Sequence, residues 1–499
     1  MTLARAKMKH CWSFLFPFGF AAQAFATAPE YHRETKRLSA SQVGSRTLRD
    51  WLPNNKTAIQ HWVNAKSSEA KRHHNGTLEP VVQDFKQAVE SDVTLSRYAN
   101  QMFVEVPNKY KAPYNETPVG NPELRNFSDF LILLDHIIHE GPGWFDKTDP
   151  PTANDLIGFP ITAALDWPLG TIAGHEFFLS PVVNHHIGRV LDFWAVYLGK
   201  PPSTSVLAGW LSPDGKDQIA TAANLGKTNY TFEQIFHCPN TSAPYLGYQT
   251  WDQYFVREFN PGIRPIAAPD NGTHDTEYHF DPTLVIDNAC ESAPLQVRHN
   301  ISLFDSFFLK EQPYSLTNML NFHPLANTFV GGTVYQAYLS TLSYHRWHAP
   351  VSGRIVHIEN VPGTYYSANL FTGLAETSYT GQAPDDSAPN YSQPYISAVA
   401  TRGIVFIQAR NPAIGLMAII FVGMGEVSSC EFTVHVGQEV TKGDQLGMFH
   451  FGGSTHVMVF QPGVELDFVK PIPHGDAASG SFLSETNFAV RSALAVVPT

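Results

Sequence analysis

Cysteine is scarce, with four in 499 residues. That excludes a disulfide-stapled scaffold, and the lack of any CxxC pair removes the usual zinc-ribbon and dithiol arrangements. Positive charge is also short. Lys and Arg number 33 against 45 Asp and Glu, a formal net charge of −12. Such a balance argues against nucleic acid as a general partner, and an anionic membrane surface gains nothing from it. The apolar stretch 129–139 is too short to span a bilayer. The zinc-protease motif is missing too: His175-Glu176 begins it, but Leu179 stands where the second histidine belongs. His136 and His139 share a helical i, i+3 spacing without a carboxylate-rich motif beside them, and His185-His186 are adjacent. No metal site is expected.

What is present is the make-up of a globular protein long enough for two or three domains, with 43% hydrophobic and 16% charged residues. Residues 1–26 read as a secretory leader. Arg5, Lys7 and Lys9 form a basic start, Cys11 to Phe20 an apolar centre, and Ala24-Phe25-Ala26 a small-residue cleavage site. Its removal would leave Cys238, Cys290 and Cys430, an odd set allowing one intrachain disulfide at most. Asn-X-Ser/Thr sequons begin at Asn55, Asn75, Asn115, Asn126, Asn229, Asn240, Asn271, Asn300 and Asn390. They agree with a secreted or lumenal protein, since glycosylation requires entry to the secretory pathway.

The fold class expected is α+β. Residues 38–235 read as mainly helical. Ser128 is a candidate cap for a helix over Asp129–His139 with Gly141 beyond it, and Ile187 to Leu198 is a second helix stopped by Gly199-Lys200-Pro201-Pro202. From about residue 240 short β-type runs alternate with Gly, Pro and Asn, at 283–286, 353–358, 403–407 and 416–422. The stretch Val436 to Gly447 has the paired turns of biotinyl and lipoyl carrier domains, but no lysine stands at an evident hairpin tip.

Three stretches carry polar groups suited to chemistry. Gly452-Gly453-Ser454-Thr455-His456 places a serine after two glycines, where other groups can approach the backbone closely. Tyr344-His345-Arg346-Trp347-His348-Ala349-Pro350 supplies two candidate bases. Asp287, Asn288, Ala289, Cys290 and Glu291 put carboxylates at the end of an apolar strand. Serine, histidine and carboxylate together form a nucleophile, a base and an orienting acid. A serine hydrolase using Ser454, His348 and Glu291 is one reading, although His456 breaks the G-x-S-x-G elbow at its last position.

Those stretches, together with Phe255-Val256-Arg257-Glu258-Phe259-Asn260-Pro261-Gly262-Ile263-Arg264-Pro265, resemble three ordered motifs of the phosphatidylserine decarboxylase family. The resemblance spans about residues 245–475. The long N-terminal extension and the runs 360–365 and 447–453 look like the family's fungal branch, which includes a tryptophan decarboxylase. The resemblance implies a β-rich catalytic domain behind the helical one. It also implies self-cleavage between Gly453 and Ser454, with Ser454 becoming a pyruvoyl group that heads a short chain, 454–499. In that scheme His348 takes the serine proton and His345 serves the decarboxylation step. No added cofactor is required. An aspartate is expected where Glu291 stands, in a Ser-Pro-Ala-Asp-Gly motif that this chain lacks; Asp287 is the nearby alternative. Substrates to expect are an aromatic, tryptophan-like amino acid, phosphatidylserine, or another carboxylated metabolite. The two chains would come from one precursor, with room for a homodimer.

Overall fold

The apolar run at 129–139 is a helix, but it begins before Ser128. Asn126 caps it, its side-chain oxygen accepting the Asp129 N–H at 2.8 Å. Asn and Ser are comparable caps. Packing favours the earlier start, because Phe127, one of the two residues added, is 3% exposed and meets Phe85 edge-on at 5.6 Å. The computed structural model describes residues 56–105, 124–144, 157–271, 281–304, 314–367, 392–426, 428–451, 454–469 and 487–498. All lie in one compact unit, Ser45–Thr499. The leader expected at 1–26 lies outside the described residues.

The helical part comprises α1 (Lys56–His73), α2 (Pro80–Ser91), α3 (Val93–Gln101), α4 (Phe127–Ile137), α5 (Pro160–Ala164), α6 (Ile172–Leu179) and α7 (Pro181–Leu198). Next come α8 (Leu207–Trp210), α9 (Pro213–Asn224), α10 (Phe232–Ile235) and α11 (Trp251–Phe255). The helix expected from Ile187 begins at Pro181, where Ser180 caps the N-terminus and proline takes the first turn, a position that needs no N–H partner.

The β part begins with β1 (Val285–Asp287), β2 (Ala293–His299), β3 (Thr333–Leu339), β4 (Arg346–His348) and β5 (Gly353–Val361). It continues with β6 (Arg402–Ala409), β7 (Leu416–Gly423), β8 (Ser429–Phe432), β9 (Glu439–Val440) and β10 (Gln445–His450). Then follow β11 (Ser454–Phe460), β12 (Asp467–Phe468) and β13 (Ala493–Val496). An antiparallel seven-stranded sheet runs β2-β3-β11-β7-β6-β5-β9. Two three-stranded sheets, β4-β10-β8 and β1-β13-β12, accompany it.

β7 is buried along its whole length, because both sheet faces are covered. Met417, Ile419, Phe421 and Met458 join the larger core, with Trp347 and the helices. Ala418, Ile420, Val422, Val457 and Val459 join a second core, with Leu316, Met319 and Ile396. This explains why β7 reads as a continuous apolar run without alternation. Trp347, fully buried, lies flat on Phe421 with ring centroids 3.8 Å apart. Removing such a ring costs about 3–5 kcal/mol.

Two sequence expectations resolve here. Cys238, Cys290 and Cys430 are all free thiols. In the carrier-like stretch, Lys442 is no exposed hairpin lysine: it is 1% exposed and donates to the Ala268 and Pro282 carbonyls at 3.0 and 2.6 Å.

Candidate active site

The strand pairing brings three of the singled-out stretches close in the backbone. β4, which carries His348, lies beside β10, the strand just before the Gly-Gly-Ser turn, with Gln445 opposite His348. On its other side the His348 N–H donates to Ala289 O at 2.9 Å, and Asp287 N–H to Pro350 O at 2.9 Å. Ser454 opens β11 between β3 and β7, opposite Leu339 and Gly423. Gly452 and Gly453 lie outside the described residues.

The approach to Ser454 is held at two points. Phe451 has φ +46°, an unusual conformation for a bulky residue. It is 5% exposed and packs on Trp194 at 4.8 Å, Phe255 at 6.0 Å and Trp251 at 6.1 Å. Aromatic packing from the helices thus holds a backbone angle that would otherwise relax, at a cost of about 1–3 kcal/mol. One residue earlier, the His450 ring is clamped between Asp252 and Glu431, each 2.8 Å away.

His348 is 2% exposed. Its Nε2 lies 3.0 Å from the Tyr344 hydroxyl. Its Nδ1 lies 2.9 Å from Gly443 O and 3.0 Å from Arg491 Nη2. With a proton Nδ1 donates to the carbonyl; without one it accepts from the guanidinium, so the tautomer is set by this choice. Burial, then the Arg491 charge, pushes its pKa down to about 3. The ring is neutral at physiological pH, the state a base requires.

His345 is fully buried, with its ring stacked on Phe255 at 4.2 Å. Burial and the Arg257 guanidinium hold its pKa well below the usual histidine range. His456, two residues after Ser454, is fully buried as well, and neither ring nitrogen has a hydrogen-bond partner among the described residues. Burial alone pushes its pKa to about 3.

Glu291 does not take the orienting place expected for it. Its carboxylate is forked by Arg264, through Nε at 3.0 Å and Nη2, and it accepts the Val490 N–H at 2.8 Å. Its bonds therefore hold the segment that carries Arg491, and Arg491 in turn touches His348. Glu291 is a positioning residue one step removed, and the group facing His348 Nδ1 is the Gly443 carbonyl. A planar guanidinium with two matched donors outcompetes an imidazole for a buried carboxylate. Asp287, the alternative, is fully buried with neither oxygen hydrogen-bonded among the described residues. Burial raises its pKa to about 8 against the pull of Lys442. A standing Ser-His-Glu triad is therefore not what the described side chains form.

Sequence reasoning missed Tyr344, Arg491, Gly443 and His456. Tyr344 and His456 stood inside the motifs quoted, but nothing in their spacing signals a contact or an orphaned ring. Arg491 lies 143 residues from His348, and only folding joins them.

The described residues thus supply buried histidines and a serine that opens a strand, the residue types that the family resemblance calls for in a decarboxylase. Comparison with known proteins agrees. The phosphatidylserine decarboxylase family model matches residues 251–474, and a second model with the same description matches 79–219. An L-tryptophan decarboxylase of Psilocybe cyanescens is 32% identical over 85% of this chain and 90% of its own. The decarboxylase iboD of Amanita muscaria is 40% identical over 64% of this chain and 88% of its own. A phosphatidylserine decarboxylase proenzyme of Schizosaccharomyces pombe is 28% identical over 44% of this chain and 20% of its own. The chain belongs to the phosphatidylserine decarboxylase family, and is a decarboxylase.

Proposed function

We propose that this decarboxylase is pyruvoyl-dependent, cutting itself between Gly453 and Ser454, and that it acts on an amino acid with an aromatic side chain. The observation that carries the substrate reading is the likeness to an L-tryptophan decarboxylase over 85% of this chain. A narrow cleft of about 20 Å³, partly open to solvent, is also present. Phe159, Leu169, Tyr365, Tyr366, Ile396 and Met424 are among the residues lining it. It reaches Gly425, two residues beyond the Gly423 that pairs with Ser454.

The residues present fit the pyruvoyl group. Ser454 supplies its atoms, and His456, two residues away, has buried ring nitrogens without a hydrogen-bond partner among the described residues. When formed, the group supplies a carbonyl that takes up the electron pair left by departing CO2. Before that, His348 accepts the Ser454 hydroxyl proton, the oxygen attacks the Gly453 carbonyl, and the Gly453–Ser454 C–N bond breaks to leave an ester; elimination frees the Gly453 carboxylate, and water then displaces the serine nitrogen as ammonia. Burial keeps His348 unprotonated for this task. His345, its buried ring stacked on Phe255, is assigned to the decarboxylation step. Phe159 and Leu169 come from the helical part, so that part helps to line the cleft.

The chain also enters the secretory pathway in this reading. Asn75, Asn126, Asn229, Asn240, Asn271 and Asn300 are all exposed, and a sequon must be exposed to carry a glycan.

The test incubates purified protein with tryptophan, tyrosine, phenylalanine and phosphatidylserine vesicles, following CO2 and amine, with mass analysis of the C-terminal fragment. Amine from an aromatic amino acid, and a 454–499 fragment one ammonia lighter than its serine-ended form, are expected. Turnover of phosphatidylserine alone overturns the substrate reading. An intact chain with full activity overturns the pyruvoyl reading.

A further inference from the structure

α1 presents Glu69 and His73 one helical turn apart, and α4 presents His136, with Glu140 four residues on in the turn that follows the helix. Residues at i and i+4 share a helix face, and these two faces meet. Glu69, His73 and His136 offer three ligand atoms all within 4.8 Å of one another. His136 Nε2 lies 3.4 Å from Glu140 Oε1 and 3.8 Å from Glu69 Oε2. That nitrogen is buried, yet makes no hydrogen bond with either. The first contact is misaligned for a hydrogen bond and the second is too long.

We propose that Glu69, His73, His136 and Glu140 form a Zn2+ site tying α1 to α4. Zinc binds imidazole nitrogen and carboxylate oxygen at about 2.0–2.2 Å, so ligand atoms around a tetrahedral ion stand about 3.4 Å apart. The His136–Glu140 spacing already matches that edge, and the His136–Glu69 spacing needs only a small adjustment. His73 is exposed at the end of α1, with its ring centroid 5.9 Å from that of His136. Two imidazoles select zinc over magnesium or calcium, which prefer all-oxygen cages.

Lys66 is the competing cation, and its geometry makes it an outer-shell group. Its Nζ lies 2.8 Å from Glu140 Oε2 and 3.1 Å from Glu69 Oε2. Glu140 therefore gives one oxygen to lysine and turns the other toward His136. A metal here would leave that pair in place, as hydrogen-bonded outer partners commonly orient ligating carboxylates. His139 is not a ligand: its Nε2 faces Glu79 at 3.3 Å.

The full-length protein, stripped with a chelator, is titrated with zinc sulfate and then with cobalt(II). One zinc equivalent, a raised unfolding temperature, and the intense visible absorption of tetrahedral cobalt are expected, with no response to magnesium. His136→Ala and Glu69→Gln should each weaken zinc by more than about 10²-fold, beyond the loss typical of an outer-shell partner. Lys66→Met should stay within the loss of about 10–100-fold typical of an outer-shell partner. Failure of the parent to retain zinc, or a weak octahedral cobalt spectrum, overturns the site. So does equal affinity in folded His136→Ala. Because cobalt absorption is read on the unmutated protein, a variant that fails to fold leaves the test intact.

Discussion

Glu291→Gln separates a structural role for this carboxylate from a chemical one. Glu291 and Arg264 are buried, their side chains 2% and 10% exposed. Gln keeps the shape but removes the charge, and its amide turns donors toward Arg264 and the Val490 N–H. Breaking one side of a buried pair costs about 3–5 kcal/mol, because the partner charge is left without compensation. Replacing both, Arg264→Met with Glu291→Leu, removes the stranded charge and should recover about 0.5–3 kcal/mol relative to the sum of the single changes. Urea unfolding in a Ser454→Ala background measures this without interference from chain cutting. Self-cleavage of Glu291→Gln, in an otherwise natural chain, should slow through displacement of Arg491, with the same pH dependence as the parent. A Glu291→Gln protein of undiminished stability whose cleavage shows a new pH profile would refute the reasoning. That result would put the carboxylate on His348 after all.

Other expectations are shorter. His348→Ala should slow self-cleavage by about 10²–10⁴-fold, the usual worth of a general base, read as the rate of fragment appearance on a denaturing gel. Tyr344→Phe strips the hydroxyl from Nε2 and leaves a buried nitrogen unsatisfied, costing about 1–3 kcal/mol in unfolding experiments. His348 and His456, each held at about 3 in the fold, take up protons more readily when unfolded. Stability should therefore fall as pH drops from about 6.5 toward 3, by up to several kcal/mol, since each tenfold change in proton affinity is worth about 1.4 kcal/mol. The His456→Leu variant should show a shallower acid limb. Asp287 acts in the opposite sense. Its folded pKa is raised to about 8, so its contribution is present at low pH and lost as pH rises from about 4 to 8. Asp287→Asn should accordingly gain stability over the parent at pH 8 relative to pH 4, measured by unfolding at both.

Much of this protein was legible in the chain itself. The change from helical to β texture, the run 416–422 as a strand, and the three motifs of the family are local patterns. Local patterns survive in one dimension because helix and strand periodicity bind near neighbours. Caps were less legible: Asn126 displaced Ser128 because Phe127 had a ring to pack against, a fact about α2 and not about the cap. The histidines were identifiable as candidates, while their protonation was not. For His348, a pKa near 3 comes from burial and an arginine far away in sequence.

The same division holds for the carboxylates. The chain by itself determined that Glu291 stands where the family has aspartate, and that Arg264 lies in another family motif. Only the tertiary structure decided that these two bind each other, and that a backbone carbonyl faces His348 instead. Likewise, Glu69 and His73, or His136 and Glu140, are visible as pairs four residues apart, but α2 and α3 separate α1 from α4 along the chain. The physical reason is the range of the forces. Backbone geometry acts over a few residues and is written in order along the chain. Burial, charge pairing and ligand geometry act over a few ångströms of space, and the chain reaches those distances only when the cores have closed.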